Sequence, residues 1–118
     1  MTNMKFGFSP THPGEVLKDE IEYRKLSQST LAKQMGLSYK ILNDILNERR
    51  PVTTTTAMMF EAALGIPAYS LINIQTEFNL QMASRDQPLA EHLDKIRKTV
   101  AVFNRLIRPS RQRRREYR

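Results

Sequence analysis

The stretch that most constrains this chain runs from Gln28 to Asn47, QSTLAKQMGLSYKILNDILN. Leu31, Ala32 and Met35 repeat at the spacing of one apolar helical face, and Gly36 stands where that helix must stop. A helix ending in a left-handed residue favours glycine there, because a Cβ would crowd the backbone. Ser38 then offers a hydroxyl to cap a second helix. In that helix Leu42, Ile45 and Leu46 share one side, while Tyr39, Lys40, Asn43 and Asn47 largely share the other. Ala32 is small enough to let two helices cross steeply at a short turn. The pattern predicts two short helices with an apolar face inward and a polar ridge outward.

A chain of 118 residues, 40% of them hydrophobic, can close one core and carry an extension. Glycine is scarce and strand-like alternation is missing, so the expected fold is all-α. No apolar run approaches the roughly 18 residues of a membrane span. The opening MTNMKFGFSP lacks the basic start and apolar block of a secretion signal, and there are no cysteines, which fits a cytoplasmic protein. His12 and His92 are the only histidines. No metal-ligand spacing, phosphate-cradling loop or activated nucleophile is visible, so neither catalysis nor a cofactor is expected.

The flanking segments read as further helices. Residues 1–10 form an irregular lead-in with Phe6 and Phe8 free to pack. Thr11-His12-Pro13-Gly14-Glu15 opens a first helix: proline is pre-organised for the first position, and Glu15 suits both the positive helix end and a capping-box carboxylate. Val16, Leu17 and Ile21 are its expected buried side, it runs to about Lys25, and Ser27 caps the next helix. Beyond the central motif Pro51 stops the helix, and Thr53 or a neighbouring threonine caps a fourth helix from Thr54 to Leu64, with Ala57, Phe60 and Leu64 inward. A fifth runs from near Pro67 to about Met82, its apolar side drawn from Leu71, Ile74, Phe78 and Leu80 or Met82. These five helices form an expected domain over residues 1–83.

Ser84 to Pro88 is a polar linker. Then Leu89, Leu93, Ile96, Val100, Phe103 and Ile107 advance by four, three, four, three and four, a heptad seam. Such a C-terminal amphipathic helix, within 84–108, either packs on its own domain, dimerises, or binds a partner. Residues 109–118 form a basic tail. The formal net charge is +7, and its placement matters more than its size. Seven arginines and one glutamate lie between Arg105 and Arg118, so the rest of the chain is close to neutral. Any affinity of the motif for nucleic acid must therefore rest on the local placement of Lys33, Lys40, Arg49 and Arg50.

The spacing of Gln28, Ala32, Gly36, Leu37, Leu42 and Ile45 resembles the helix-turn-helix of the Cro/repressor-like family, in which the second helix enters the major groove. The ordered set HPGE, SQSTLAKQMGLS, ILNDILNERRPVTTTTAMMFEAALG and INIQTEFNL, over residues 8–82, is more closely similar to the HigA-type antitoxins of bacterial toxin–antitoxin modules. That resemblance implies a five-helix repressor-like fold, homodimerisation, operator binding, and neutralisation of a RelE-like ribonuclease toxin. A partner bound by the amphipathic helix would then be that toxin. A stand-alone repressor is the alternative. By the family pattern, Gln28 buttresses the second helix and reaches a phosphate, and Ser38, Tyr39, Lys40 and Asn43 occupy its exposed front. Asn43 suits an adenine edge and Lys40 a guanine, with Asn47 beside them. Arg49 and Arg50 face the DNA backbone, which positions without specifying sequence. Asp44 is a candidate partner for Lys40. Two positions depart from the pattern: the family often has glycine where Glu48 stands, and tryptophan where Leu71 stands.

Overall fold

A computed structural model describes residues 10–107. Among them are six α-helices and no strand: α1 (Pro13–Tyr23), α2 (Gln28–Met35), α3 (Tyr39–Leu46), α4 (Thr54–Leu64), α5 (Ala68–Ala83) and α6 (Gln87–Ile107). The chain divides between Met82 and Ala83 into two compact units. The aromatic lead-in Phe6 and Phe8 and the basic tail 109–118 lie outside the described residues. No helix among the described residues is long and apolar enough to cross a membrane.

The core of the first unit joins Leu17 and Ile21 of α1, Leu31, Ala32 and Met35 of α2, Leu42, Ile45 and Leu46 of α3, Val52, Ala57, Phe60, Leu64 and Leu71. The larger of these side chains, Val, Leu, Ile, Met and Phe, contribute about 1.5–3 kcal/mol each when fully buried. In this packing α3 lies against both α1 and α2, and α2 also touches α4. Val16 is left at the surface, because Gly14, Leu17 and Ile21 are the residues of α1 turned inward. On α5 the expected apolar side fades after Phe78: Leu80 and Met82 are exposed, while the amide of Gln75 is buried one turn beyond Leu71.

Three helix ends share one hydrogen-bond pattern. After α1, α2 and α3 the chain turns back so that the next two N–H groups bond the last turn's carbonyls: Lys25 to Glu22 and Leu26 to Ile21, Gly36 to Lys33 and Leu37 to Ala32, Glu48 to Ile45 and Arg49 to Asp44. This turn needs one left-handed residue. Gly36 supplies it at φ 74°, but Lys25 (φ 59°) and Glu48 (φ 65°) adopt it despite their Cβ atoms. Consequently α1 stops at Tyr23, short of the expected Lys25. Ser27 and Ser38 cap α2 and α3 through their hydroxyls, and Thr53 and Thr56 form a reciprocal capping box on α4.

The start of α1 is tied to α3 more tightly than its sequence suggests. The His12 imidazole is the N-cap, Nδ1 accepting from the Gly14 N–H at 2.8 Å. The ring is buried edge-on to Phe78, centroids 4.8 Å apart. A Cβ on Gly14 would sit 2.0 Å from the Ile45 carbonyl oxygen, so only glycine lets α1 approach the α3 backbone this closely. In the second unit α6 stands as a single amphipathic helix with no buried residue.

Candidate nucleic-acid interface

The front of α3 is exposed where the central motif predicts a polar ridge. Ser38, Tyr39 and Lys40 lie at the surface, Tyr39 at 52% exposure and the Lys40 side chain at 80%. Leu42, Ile45 and Leu46, on the opposite side, are buried and fix the helix axis. Ser38 Oγ accepts from the Ile41 N–H at 3.1 Å, which leaves its hydroxyl hydrogen free to donate outward.

Behind this ridge lies a connected polar network. Asn43 is half-buried, and both ends of its amide are engaged: Nδ2 donates to Gln28 Oε1 at 3.2 Å, and Oδ1 accepts from Arg49 Nη2 at 2.9 Å. Gln28 thus supports α3, as expected of it. An adenine edge at Asn43 would have to exchange with those two partners. Asn47 sits deeper. Its Oδ1 accepts from Lys18 Nζ at 3.2 Å and its Nδ2 donates to the Asn43 carbonyl at 2.9 Å, so this amide joins the end of α3 to α1.

Asp44 is the hub. Its carboxylate, only 11% exposed, takes Lys40 Nζ at 3.1 Å, Arg49 Nε at 3.1 Å and Arg50 Nη2 at 3.7 Å. The Lys40 hydrogen bond, helped by Arg49, holds its pKa below the usual carboxylate value although burial pushes the other way. A single anion therefore gathers the three cations nearest the ridge and fixes where their charge is presented. The Lys40 pairing follows from i, i+4 spacing. The two arginines arrive because the left-handed Glu48 folds the chain back over α3. The same loop is anchored from below: Gln75 Oε1 accepts from the Val52 N–H at 2.8 Å, and Gln75 Nε2 donates to Asn79 Oδ1 at 3.0 Å. Lys18, Gln75 and Gly14 all shape this face, and no local sequence signal marked any of them for it. Among the described residues no cluster of metal-binding side chains is present.

The helix-turn-helix family model matches residues 17–71. The chain is 38% identical over 77 residues to virulence-associated protein I of Dichelobacter nodosus, covering 64% of this chain and 71% of that protein. Its fold is similar to the antitoxin GraA, with a TM-score of 0.65 and 32% identity over 76% of this chain and 92% of the other. It is also similar to the Pseudomonas aeruginosa antitoxin HigA, solved with the higBA promoter, with a TM-score of 0.63 and 29% identity over 70% and 92% of the two chains. With α2 and α3 forming the two helices of a Cro-like helix-turn-helix, the chain belongs to the HigA-type antitoxins. These are DNA-binding regulators rather than enzymes.

Proposed function

We propose that this chain is a sequence-specific antitoxin that binds its own operator as a homodimer, represses its operon, and neutralises a RelE-like ribonuclease in the cytoplasm. The observation that carries this reading is the exposed Ser38–Tyr39–Lys40 ridge, backed by the Asp44 cluster on a helix whose other side is buried. In a major groove Lys40 donates to guanine, Tyr39 and Ser38 meet sugar and phosphate, and Arg49 and Arg50 set register on the backbone. Gln28 and Asn43 hold that front in place, and Asn43 turns to an adenine edge when its internal partners release it. Asn47 keeps α3 on α1. Residues 1–83 form the repressor-like five-helix DNA-binding domain, 84–108 the amphipathic helix, and 109–118 a basic tail that adds sequence-independent affinity.

Fluorescence anisotropy with duplex DNA from directly upstream of its own reading frame tests the DNA part. Binding at least a hundredfold tighter than to a shuffled duplex at the same salt is expected, and equal affinity for both duplexes would end the repressor reading. Co-expression with a small basic ribonuclease, where one is encoded beside it, tests the rest. Restored growth and a co-purifying complex support the antitoxin, whereas operator binding with no effect on that ribonuclease favours the stand-alone repressor.

A further inference from the structure

The amphipathic helix α6 carries the least explained surface of the molecule. Along its 21 residues Leu93, Ile96, Val100, Phe103 and Ile107 are each between 38% and 60% exposed. All six seam positions from Leu89 onward are apolar, with no polar residue interrupting them. A continuous apolar stripe of this kind on a lone helix marks an interface. It lies beyond the segment that the helix-turn-helix family shares.

We propose that α6 is a self-association element, and that two copies pair antiparallel along this seam. Three observations on this helix favour a second copy over another partner. First, the seam is self-complementary. With Leu93, Val100 and Ile107 as a positions and Leu89, Ile96 and Phe103 as d positions, one antiparallel register matches every layer: Leu93 with Phe103, Ile96 with Val100, and Leu89 with Ile107 of the second copy. The two-fold axis passes beside Arg97 and Thr99, and Asp94 is already paired with Arg97 at 3.5 Å, which tempers the meeting of two Arg97 side chains there.

Second, charge is sorted along the helix. Both acidic residues, Glu91 and Asp94, precede all four basic ones, Lys95, Arg97, Lys98 and Arg105. In that register antiparallel pairing sets Glu91 of each copy level with Arg105 of the other, while Lys95, Arg97 and Lys98 lie near the two-fold axis. Third, the eleven residues after Ile107 hold six arginines and one glutamate. Parallel pairing would start both of these segments side by side. Antiparallel pairing starts them about 31 Å apart, the length of the helix, roughly three Debye lengths at 0.1 M salt. It also starts each one beside Asp86 and Glu91 of the other copy. The arrangement is isologous, as a closed two-fold dimer requires.

This inference rests on the dimer proposed above and assigns its interface, so the test separates the two. Sedimentation of the full chain at micromolar concentration is compared with an Ile96→Glu/Val100→Glu variant. Both positions lie in the second unit, so the first unit keeps its helical signal. The wild type is expected as a dimer, with a dimer dissociation constant at least tenfold higher in the variant. A variant that stays equally dimeric overturns the α6 assignment and leaves the operator dimer standing. A wild type that is monomeric both free and on operator DNA overturns both. A wild-type monomer that binds anionic vesicles through α6 assigns the stripe to a membrane surface and also overturns the proposal. Orientation is read in the cysteine-free background by oxidising Leu93→Cys and Phe103→Cys proteins. Cross-linked dimer that forms only when the two are mixed is expected, whereas self-linking of either alone would establish a parallel pair.

Discussion

Gly14→Ala is the substitution whose outcome the structure decides against ordinary expectation. In a helix, glycine to alanine stabilises by up to about 1 kcal/mol. Here the new methyl would lie 2.0 Å from the Ile45 carbonyl oxygen and 3.0 Å from His12 Nδ1. To reach a tolerable contact the start of α1 must move about 1 Å off α3, a gap that forfeits a quarter to a half of each dispersion contact it opens. Leu17 and Ile45, both fully buried, lose part of their packing in that movement. Overpacking of this kind costs about 1–3 kcal/mol, and disturbing the His12 cap adds about 1 kcal/mol. Set against the propensity gain, the net is a loss of about 1–3 kcal/mol. Urea unfolding followed by far-UV circular dichroism measures it. In a thermal melt of a domain this size the same loss lowers Tm by about 4–8 °C per kcal/mol. An alanine variant as stable as the parent would refute the close approach of α1 to α3. Gly36 provides the contrast, since a Cβ there meets nothing and only its φ of 74° is at stake. Asparagine should therefore be tolerated at Gly36 better than at Gly14.

Three further outcomes follow from the same geometry. Glu48→Gly relieves a left-handed residue worth about 1–2 kcal/mol, offset by glycine's greater freedom in the unfolded chain; a net gain of about 0.5–1 kcal/mol is expected in urea, with tighter DNA binding because a negative charge leaves the face. Asp44→Asn frees Lys40, Arg49 and Arg50 from their shared anion; anisotropy titrations should show tighter binding to shuffled DNA, a steeper salt dependence, and a specificity ratio reduced about tenfold. Burial lowers the His12 pKa, with the nearby Glu48 charge opposing, so unfolding takes up a proton below the unfolded histidine value of about 6.5. Stability from this group is complete above that pH and is lost on acidification, at no more than about 1.4 kcal/mol per pH unit, until the lowered folded value is passed. Urea titrations between pH 7.5 and 5.5 should show this slope in the wild type and its loss in His12→Asn, which keeps a capping side chain but does not titrate.

What could be read from the sequence was local. Gly36 and Ser38, set between two apolar faces, specify the turn and both helices by steric and capping rules that involve only near neighbours, and the structure has them so. Lys40 with Asp44 is likewise a one-turn relation. The remaining geometry depends on which backbone passes over which residue. Gly14 reads as a generic helix-start glycine until Ile45 is placed on top of it. Asn47 reads as part of the polar ridge until Lys18, 29 residues earlier, donates to its side-chain Oδ1. Gln75 reads as a polar interruption of α5 until the Val52 N–H, 23 residues away, is found bonded to it. Lys25 and Glu48 show the converse limit. Both adopt at φ 59° and 65° the turn that Gly36 adopts freely, with no glycine to mark it, so α1 ends earlier than its sequence suggests and only the departure from glycine at Glu48 hints at strain.

The account turns on α3 presenting its exposed ridge to base edges in the major groove. Methylation interference on the upstream duplex measures this directly, since methyl groups at guanine N7 block the major groove and those at adenine N3 the minor. Interference is predicted at guanine N7 in two clusters about one helical turn apart, and Lys40→Ala should erase one guanine from each cluster. Binding that survives every guanine N7 methyl and fails only on adenine N3 modification would contradict it.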